Sequence, residues 1–367
     1  MNTPLLSGNE LKYVTEAVST GWISSEGPFV SQLEDNFSRY VGRKFGIAVA
    51  NGSAALDIAV QAAGIGEDDE VIIPTFTIIS PALSVVRAGG TPVLVDSTKD
   101  DWVMNLSEIE SRITSKTKAI IVVHVYGLTM NMKELLALAE RHKLIVIEDA
   151  AEMIGQTCDG EFCGSFGLLS TFSFYANKHI TTGEGGMVLT NDEELAERCK
   201  KLRNLAFEKN GPRFVHHEMG WNYRLTNVQA AIGVAQLEQI DSHIERKKQL
   251  GEIYQEELAH LKARGYTLPL RRNEHADNIY WVFGILAPDE AEQKNITRYL
   301  SDRNIGWRPF FWCMHEQPVF LNKGLFLNDH FPVAESLART GFYIPAGLGL
   351  TTQDQLKVCQ TIRDYFK

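Results

Sequence analysis

The sequence of 367 residues has few cysteines, and none of them are arranged as a metal site or a disulfide framework would require. Five cysteines are scattered along the chain: Cys158, Cys163, Cys199, Cys313 and Cys359. Their number is odd and no two form a CxxC pair, so the pattern favours neither a zinc site nor a set of disulfides. A reducing compartment, the cytoplasm, is therefore the expected location.

Long apolar runs and an excess of basic charge are also missing. The longest apolar stretches, such as residues 119–123, have the length of a β-strand and are far shorter than a membrane span. The chain begins Met-Asn-Thr-Pro, without the basic segment and apolar core of a secretory signal, so we expect no such signal. The formal net charge of −10 disfavours nucleic acid as the main partner, but it is compatible with an anionic small ligand bound by a local cluster of amides and arginines.

Short β-branched runs alternate with helical segments between residues 44 and 191. The runs are residues 46–50, 71–74, 92–96, 119–124, 144–148, 170–175 and 187–190, and the helix-length segments include 54–63, 80–88 and 132–142. Alternation of this kind predicts an α/β fold, in which a mostly parallel sheet is covered by helices on both faces.

The C-terminal part of the chain has a different pattern. Thr226 begins a long amphipathic region whose apolar period drifts near Gly251, which indicates two helices divided at that glycine. From about residue 246, strand and helix patterns are mixed, which predicts a smaller α+β domain. A chain of this length is typical of two domains, so we assign residues 1–245 to a large domain and residues 246–367 to a small one.

The most informative stretch is Ser173-Phe-Tyr-Ala-Asn-Lys178-His-Ile-Thr-Thr-Gly183-Glu-Gly185-Gly186. It places a lysine between a predicted strand and a glycine-rich turn. A lysine whose pKa is lowered by burial or by a cationic neighbour can form a Schiff base with a carbonyl. Lys178 is therefore a candidate anchor for pyridoxal phosphate (PLP). This stretch alone leaves the alternative open, a surface lysine in a hairpin.

Three further polar sites lie at the carboxyl ends of predicted strands, where open parallel sheets bind ligands. Asn51-Gly52-Ser53 opens a helix and offers backbone N–H groups to an anion, although a simple helix cap has the same sequence. Asp149 ends a strand and could accept a hydrogen bond from a protonated pyridine nitrogen, or it could cap a helix. The Ser173 hydroxyl could bind a phosphate, or it could be an ordinary inward-facing serine. One phosphate-bearing cofactor accounts for these sites and Lys178 together.

The chain resembles the DegT-type nucleotide-sugar aminotransferases, which are fold type I PLP enzymes, over nearly its whole length. The stretches that carry the resemblance are Gly21-Trp-Ile-Ser-Ser, Asn51-Gly-Ser, Asp69-Glu-Val-Ile-Ile-Pro-Thr-Phe-Thr77, His124-Val-Tyr-Gly127, Ile147-Glu-Asp-Ala-Ala-Glu152, Ser170-Thr-Phe-Ser-Phe174, Asn177-Lys-His-Ile-Thr-Thr-Gly-Glu-Gly-Gly186 and Asn222-Tyr-Arg.

The resemblance implies a reaction and a role for each matched residue. The reaction is transfer of an amino group from L-glutamate to the C4 ketone of a nucleotide-linked 4-keto-6-deoxy sugar, a step in surface polysaccharide or glycan biosynthesis. Lys178 would form the Schiff base with PLP and move the proton, Asp149 would pair with the pyridine nitrogen, and Glu152 would lie beside the ring. The remaining cofactor and substrate positions are Gly52, Ser53 and Ser173 at the phosphate, Asn222 at the phosphate of a neighbouring subunit, and His315 near the sugar nucleotide.

The implied role of Asn222 makes the expected active unit a homodimer with shared active sites. His315 lies in a Pro- and aromatic-rich segment, residues 308–315, and its alternative is a buried histidine whose hydrogen bonds are satisfied within the protein.

Two positions depart from the family pattern. Ile78 stands where relatives usually carry an aromatic residue that stacks on the PLP ring, so it is expected to contact the ring as an aliphatic group. His179 follows the lysine, and a dehydratase branch of the family carries histidine in place of the lysine itself. Because Lys178 is present, the sequence favours transamination over 3-dehydration. A non-catalytic, PLP-binding regulatory protein is the third possibility, which the set Asp149, Ser173 and Lys178 argues against.

Overall fold

The computed structural model describes residues 3–208 and 211–367. Its strands are β1 (Phe45–Val49), β2 (Glu70–Pro74), β3 (Thr91–Val95), β4 (Thr117–Val123), β5 (Ile145–Asp149), β6 (Thr157–Cys158), β7 (Glu161–Phe162), β8 (Leu169–Ser173), β9 (Gly186–Thr190), β10 (Phe283–Leu286), β11 (Arg308–Pro309) and β12 (Gly341–Ile344). Its helices are α1 (Glu10–Ser19), α2 (Pro28–Val41), α3 (Gly52–Ala62), α4 (Ser80–Arg87), α5 (Leu106–Ile109), α6 (Met132–His142), α7 (Glu193–Arg203), α8 (Asn227–Leu237), α9 (Ile240–Glu257), α10 (Glu290–Ser301), α11 (Pro318–Leu321), α12 (Pro332–Thr340) and α13 (Thr352–Asp364).

A seven-stranded sheet organises the first half of the chain, in the order β1-β9-β8-β5-β4-β2-β3. Neighbouring strands from β8 to β3 run parallel, whereas β9 is antiparallel to both of its neighbours. The predicted α/β fold with a mostly parallel sheet is confirmed. Parallel order brings the carboxyl ends of β2, β4, β5 and β8 to one edge, where ligands are expected.

Both faces of this sheet are buried, which explains why its strands are apolar runs rather than alternating ones. Ile72 and Ile120 belong to one apolar core, which also contains Phe37 of α2. Ile73 and Ile121, the next residues on the same strands, belong to the core on the opposite face, together with Leu56 of α3. The helices therefore cover both faces of the sheet, and polar groups are placed at the carboxyl ends of its strands.

The C-terminal part contains a three-stranded antiparallel sheet, β10-β12-β11, with its own apolar core. This agrees with the α+β pattern of the sequence. The predicted boundary between residues 245 and 246 falls inside α9, a continuous helix of 18 residues. The two-domain division stays a prediction. In residues 3–208 and 211–367, we find no helix with the length and hydropathy of a membrane span.

Thr226 begins the helical region as predicted, because its hydroxyl caps α8 in a reciprocal capping box with Gln229. The predicted division at Gly251 is wrong. The chain leaves helical geometry between α8 and α9 instead, at residues 238–239, and α9 runs through Gly251. A Cβ at Gly251 would lie 2.1 Å from the ring of Tyr280, so this glycine makes room for an aromatic side chain rather than ending a helix.

Candidate active site

A cavity of about 500 Å³ opens at the carboxyl edge of the seven-stranded sheet. It lies where β4, β5 and β8 end and where α3 begins. The structure brings seven of the predicted site residues into its lining: Gly52, Ser53, Ile78, Asp149, Glu152, Ser173 and Lys178. Residues more than 120 positions apart in sequence therefore share one cavity, as the strand-end argument predicts.

We call the first part of this cavity the α3 end. Asn51 caps α3 through a 2.8 Å hydrogen bond that its side-chain oxygen accepts from Ala54 N, so the cap interpretation is correct. The capped N-terminus also leaves first-turn N–H groups available to an anion. Gly52 approaches Ser173 closely, because a Cβ on it would lie 2.9 Å from the Ser173 Cβ. The Ser53 hydroxyl is 2.7 Å from that of Ser80, which adds a second hydroxyl to this end.

We call the part of the cavity around Lys178 the lysine end. Lys178 Nζ lies 3.7 Å from Glu152 Oε1, and the lysine side chain is only 10% exposed. Glu152 in turn accepts a 2.8 Å hydrogen bond from Tyr126 N through its other oxygen. Asp149 is buried beside them and accepts a 3.2 Å hydrogen bond from Ala151 N. The alternative interpretation of Lys178 as a surface lysine is therefore wrong.

Burial shifts the pKa of all three charged groups at the lysine end. It lowers the pKa of the Lys178 amine, against the opposing effect of the two carboxylates. It raises the pKa of Asp149, which the Ala151 N–H and the Lys178 ammonium partly offset. It raises the pKa of Glu152 to about 7. Each shift has the direction expected when a charged form loses its water, so burial favours the neutral form of the amine and of both carboxyls.

Local hydrogen bonds explain how the chain presents Lys178 to the cavity. After β8, Phe174 N donates to Gly185 O at 2.8 Å, and Thr182 N donates back to Phe174 O at 3.0 Å. These bonds close the base of the loop that carries Lys178 before the chain enters β9. The backbone N–H of Lys178 donates to Tyr175 O at 3.0 Å, which tightens the turn. The glycine-rich turn of the sequence thus serves to hold one amine at the end of β8.

An aromatic wall completes the lysine end, and the sequence arguments missed most of it. Trp281 places its ring 3.9 Å from Lys178 Nζ, measured to the ring centroid. Phe311 and Tyr343 also line the cavity. The aromatic segment 308–315 was a signal for Phe311. No sequence signal linked Trp281 to a lysine more than 100 residues earlier.

Asn222 and His315 lie away from the cavity lining. Asn222 is exposed and forms a bridge with Asn204. His315 is buried, with Nδ1 2.8 Å from the Thr75 hydroxyl and Nε2 3.1 Å from Glu335 Oε1. This arrangement is that of a histidine satisfied within the protein. The contact of His315 with a sugar nucleotide and the contact of Asn222 with a neighbouring subunit's phosphate stay predictions.

His179, the neighbour of Lys178, is buried and turned into the protein. Burial lowers the pKa of its imidazole well below the ordinary value. Its carbonyl oxygen lies 3.0 Å from Nδ1 of His243 on α9. Of the two adjacent side chains, Lys178 is the one that lines the cavity.

Among the described residues, potential ligand atoms of His124, Glu148 and Cys163 come within 4.8 Å of one another, and of these three residues His124 lines the cavity. The carboxylate of Glu148 already accepts hydrogen bonds from Gly164 N at 2.5 Å and Phe166 N at 3.0 Å. Burial also raises the pKa of the Cys163 thiol well above its ordinary value, which disfavours the thiolate that a metal requires. We interpret this group as a hydrogen-bonded support for the end of β5.

The described residues fit a phosphate-bearing pyridine cofactor. The α3 end offers backbone N–H groups and hydroxyls to a phosphate, and the missing Cβ of Gly52 lets Ser173 approach the start of α3. The lysine end offers a buried carboxylate for a ring nitrogen and an amine for an aldehyde. PLP carries these three groups on one ring.

Known proteins match the chain along nearly its full length. Residues 4–363 match the DegT/DnrJ/EryC1/StrS aminotransferase family. The chain is 38% identical to GDP-perosamine synthase of Escherichia coli O157:H7 over 99% of this chain and 97% of that protein. It is 41% identical to GDP-perosamine synthase of Caulobacter vibrioides over 96% of this chain and 94% of that protein. A crystal structure of S. venezuelae DesV in complex with a ketimine intermediate superposes with a TM-score of 0.89 and 31% identity, covering 97% of this chain and 94% of that one.

These matches confirm the predicted fold class, the aminotransferase activity and its dependence on PLP. They leave the domain boundary and the roles of single site residues as predictions. The chain belongs to the DegT/DnrJ/EryC1/StrS aminotransferase family.

Proposed function

We propose that the protein transfers an amino group from L-glutamate to the C4 ketone of a GDP-linked 4-keto-6-deoxy sugar. The observation that carries the proposal is the buried Lys178 amine, 3.7 Å from Glu152 and beside Asp149, in a cavity whose other end is the N-terminus of α3. The choice of GDP as the nucleotide rests on the names of the relatives, which are GDP-perosamine synthases. Surface polysaccharide biosynthesis in the cytoplasm is the setting that this substrate class implies.

The α3 end would hold the cofactor phosphate. Backbone N–H groups at Gly52 and Ser53, with the hydroxyls of Ser53 and Ser173, would donate hydrogen bonds to its oxygens. The position carries partial positive charge from the helix rather than a basic side chain. It therefore binds an anion without depending on the titration of any side chain.

The lysine end would orient the ring. Asp149 would accept a hydrogen bond from the ring nitrogen and keep it protonated, because a buried carboxylate stabilises a cation beside it. Glu152 would lie beside the ring, and Ile78, whose side chain is partly open to the cavity, would contact it as an aliphatic group. When bound, PLP supplies an electron sink for the electron pair left when a substrate carbon loses its proton.

Lys178 would move that proton. Its amine must be free of both the cofactor and a proton when it acts as the base, and burial favours the neutral form by lowering its pKa. The same amine, once protonated, would return the proton at the acceptor carbon. Proton transfer by a positioned group contributes roughly 10²–10⁴-fold to the rate.

A second copy of the chain would complete the site. Asn222 is exposed, and the segment before it exposes Phe214 and Met219, at 72% and 92% of their surfaces. A partner subunit would cover these apolar side chains. In a homodimer that covers this segment, Asn222 would reach the phosphate of the neighbouring subunit.

Replacing Lys178 with alanine tests the proposal. The purified variant and the wild-type protein are supplied with L-glutamate and a panel of GDP-, dTDP- and UDP-linked 4-keto-6-deoxy sugars, and 2-oxoglutarate is measured. We expect turnover by the wild-type protein with a GDP-linked sugar and a loss of at least 10³-fold in the variant. Turnover that survives in Lys178→Ala would refute the lysine mechanism. Loss of a sugar hydroxyl without glutamate consumption would instead indicate the 3-dehydratase.

A further inference from the structure

The indole of Trp281 lies against the amine that the proposed mechanism uses. Its ring centroid is 3.9 Å from Lys178 Nζ, within the range of a cation–π contact. Trp281 is only 4% exposed, and its ring nitrogen donates a 3.0 Å hydrogen bond to Asn177 O, in the residue before the lysine. The indole is thus hydrogen-bonded to the loop that carries Lys178, and its face covers the Lys178 ammonium.

The backbone next to Trp281 adopts a conformation that an aromatic residue rarely takes. Tyr280 has φ of 49°, in the left-handed region. The side-chain oxygen of Asn278 accepts a 2.7 Å hydrogen bond from Tyr280 N, and the Tyr280 hydroxyl donates to Glu252 Oε1 at 3.1 Å. Such a conformation persists where its surroundings enforce it, and here it turns the next side chain into the cavity.

One face of α9 supports the left-handed backbone conformation at Tyr280, which we call the kink at Tyr280. His243, Lys247, Gly251 and Gln255 recur at every fourth position, so they lie along one side of the helix. Lys247 Nζ donates to Trp281 O at 2.8 Å and also to Ala346 O. Gly251 leaves the space that the Tyr280 ring occupies.

At the ends of the same face, His243 contacts the carbonyl of His179 and Gln255 donates to Pro269 O at 2.6 Å. The helix therefore holds both the loop that carries the lysine and the segment that carries the indole.

We propose that this face of α9 and the kink at Tyr280 hold the Trp281 indole over the Lys178 amine, so that Trp281 is a positioning residue for the proton-transferring lysine. The inference rests on the proposed function, which makes the free amine a working group. The indole face attracts the ammonium and not the neutral amine, so it confines the charged form and sets how readily the proton leaves.

Three other charged side chains lie around Lys178 and Trp281, those of Glu152, Asp149 and Lys247. The carboxylates of Glu152 and Asp149 favour the ammonium, whereas burial favours the neutral amine. Lys247 is fully buried, and burial lowers its pKa to about 7. Among the described residues its amine is held by carbonyl oxygens rather than by a carboxylate.

The test compares Trp281→Leu with Trp281→Phe. Both keep an apolar side chain over the lysine, but only phenylalanine keeps an aromatic face. The full-length variants are saturated with pyridoxamine phosphate, which leaves the Lys178 amine free, and the rate of its acetylation by acetic anhydride is followed against pH by mass spectrometry of the peptide. We expect the apparent pKa of the amine to fall by about one unit in Trp281→Leu and by less in Trp281→Phe. Equal values in the two variants, or an unchanged value in Trp281→Leu, would overturn the proposal.

Gly251→Ala tests the support from α9, at a position removed from the cavity. Its new Cβ meets the Tyr280 ring, so the kink must shift, and we expect a fall in the amine's apparent pKa in the direction of Trp281→Leu. The matched control is Gln249→Ala on the exposed side of the same helix, which should leave the value unchanged. A shift in the control as large as in Gly251→Ala would contradict the role of this face.

This labelling experiment does not depend on turnover. If the proposed reaction is wrong, the glutamate and sugar assay fails while the difference between Trp281→Leu and Trp281→Phe persists. If the role of Trp281 is wrong, the wild-type protein turns over and the two variants titrate alike.

Discussion

The two ends of the cavity are built in opposite ways. The α3 end, with Gly52, Ser53 and Ser173, uses helix N–H groups, hydroxyls and the close approach of Ser173 that the missing Cβ of Gly52 permits. The lysine end uses charged side chains that are buried together, and the pKa values of Asp149 and Lys178 are shifted as a result. The first kind of site binds an anion at any ordinary pH. The second is costly to bury and is chemically responsive, so it is the end suited to proton transfer.

The comparison also concerns where the residues come from in the chain. At the α3 end, Gly52 and Ser53 are adjacent in the turn that follows β1, and Ser173 joins them from the end of β8. The lysine end is closed by Trp281, which reaches it from beyond α9. Variants at the two ends should therefore separate retention of the cofactor from chemistry on it.

After the replacement of Lys178 itself, the largest effect is expected from Asp149→Asn at the lysine end. The amide keeps the size of the side chain but cannot stabilise a cationic ring nitrogen, and removing one partner of a buried charge pair costs about 3–5 kcal/mol. We expect kcat to fall on the order of 10²–10³-fold, while the affinity for PLP changes far less because the α3 end is intact. Steady-state kinetics with L-glutamate, together with fluorescence titration of PLP, would separate the two. A variant that loses affinity and keeps kcat would contradict this division of labour.

The next effect is on stability, through Glu152. Burial raises its pKa from the ordinary 4.5 to about 7 in the folded protein. Because the folded-state pKa is the higher one, the folded state binds the proton more tightly than the unfolded chain. The contribution of Glu152 to the free energy of unfolding is therefore greatest below about pH 4.5. It declines as the pH rises to about 7, by at most about 3 kcal/mol.

Glu152→Gln should remove that dependence, since the amide oxygen can still accept the hydrogen bond from Tyr126 N. Urea unfolding of both cofactor-free proteins at pH 5 and at pH 8 gives the measurement. The difference in unfolding free energy between variant and wild type should shift in favour of the variant at pH 8. An equal difference at the two pH values would show that Glu152 titrates normally in the folded protein.

These predictions rest on residues that the sequence made available to different degrees. The sheet, its strand ends and the cluster Gly52, Asp149, Ser173 and Lys178 were predictable, because parallel strands of apolar residues bring their following turns to one edge. The position of Trp281 was not predictable, since it depends on a strained backbone at Tyr280 and on the packing of the Tyr280 ring against Gly251. That glycine misled the helix prediction for the same reason: a local pattern does not reveal which distant ring a missing Cβ accommodates.

His315 and Asn222 mark a further limit of sequence reasoning. The motif that places His315 near the substrate is local, whereas its ring is committed to Thr75 and Glu335 by tertiary packing. Asn222 lies on an exposed segment, so its proposed partner belongs to another copy of the chain. Contacts that form only between subunits leave no periodicity or spacing in a single sequence.

A smaller effect is expected from Gly52→Ala at the α3 end. The added Cβ would lie 2.9 Å from the Ser173 Cβ, so either the helix N-terminus or β8 must shift by a few tenths of an ångström. We expect about a tenfold loss of PLP affinity, equivalent to about 1.4 kcal/mol, with kcat restored at saturating PLP. Gly66→Ala is the matched control, because nothing lies within 4 Å of its new Cβ. A fall in kcat that saturating PLP does not restore would show that the two ends are coupled.

The smallest effect is expected at Ile78, which lines the cavity and is 44% exposed. An aromatic ring stacked on another ring adds about 0.5–1.5 kcal/mol beyond the area it buries. Ile78→Trp should therefore raise PLP affinity by about threefold, near the lower bound because the position is partly open to solvent. The lysine-end pKa values should stay as they are, since the substitution adds no charge. A titration of PLP absorbance across pH would check both statements. A pKa shift without a gain in affinity would place Ile78 at the lysine end rather than over the ring.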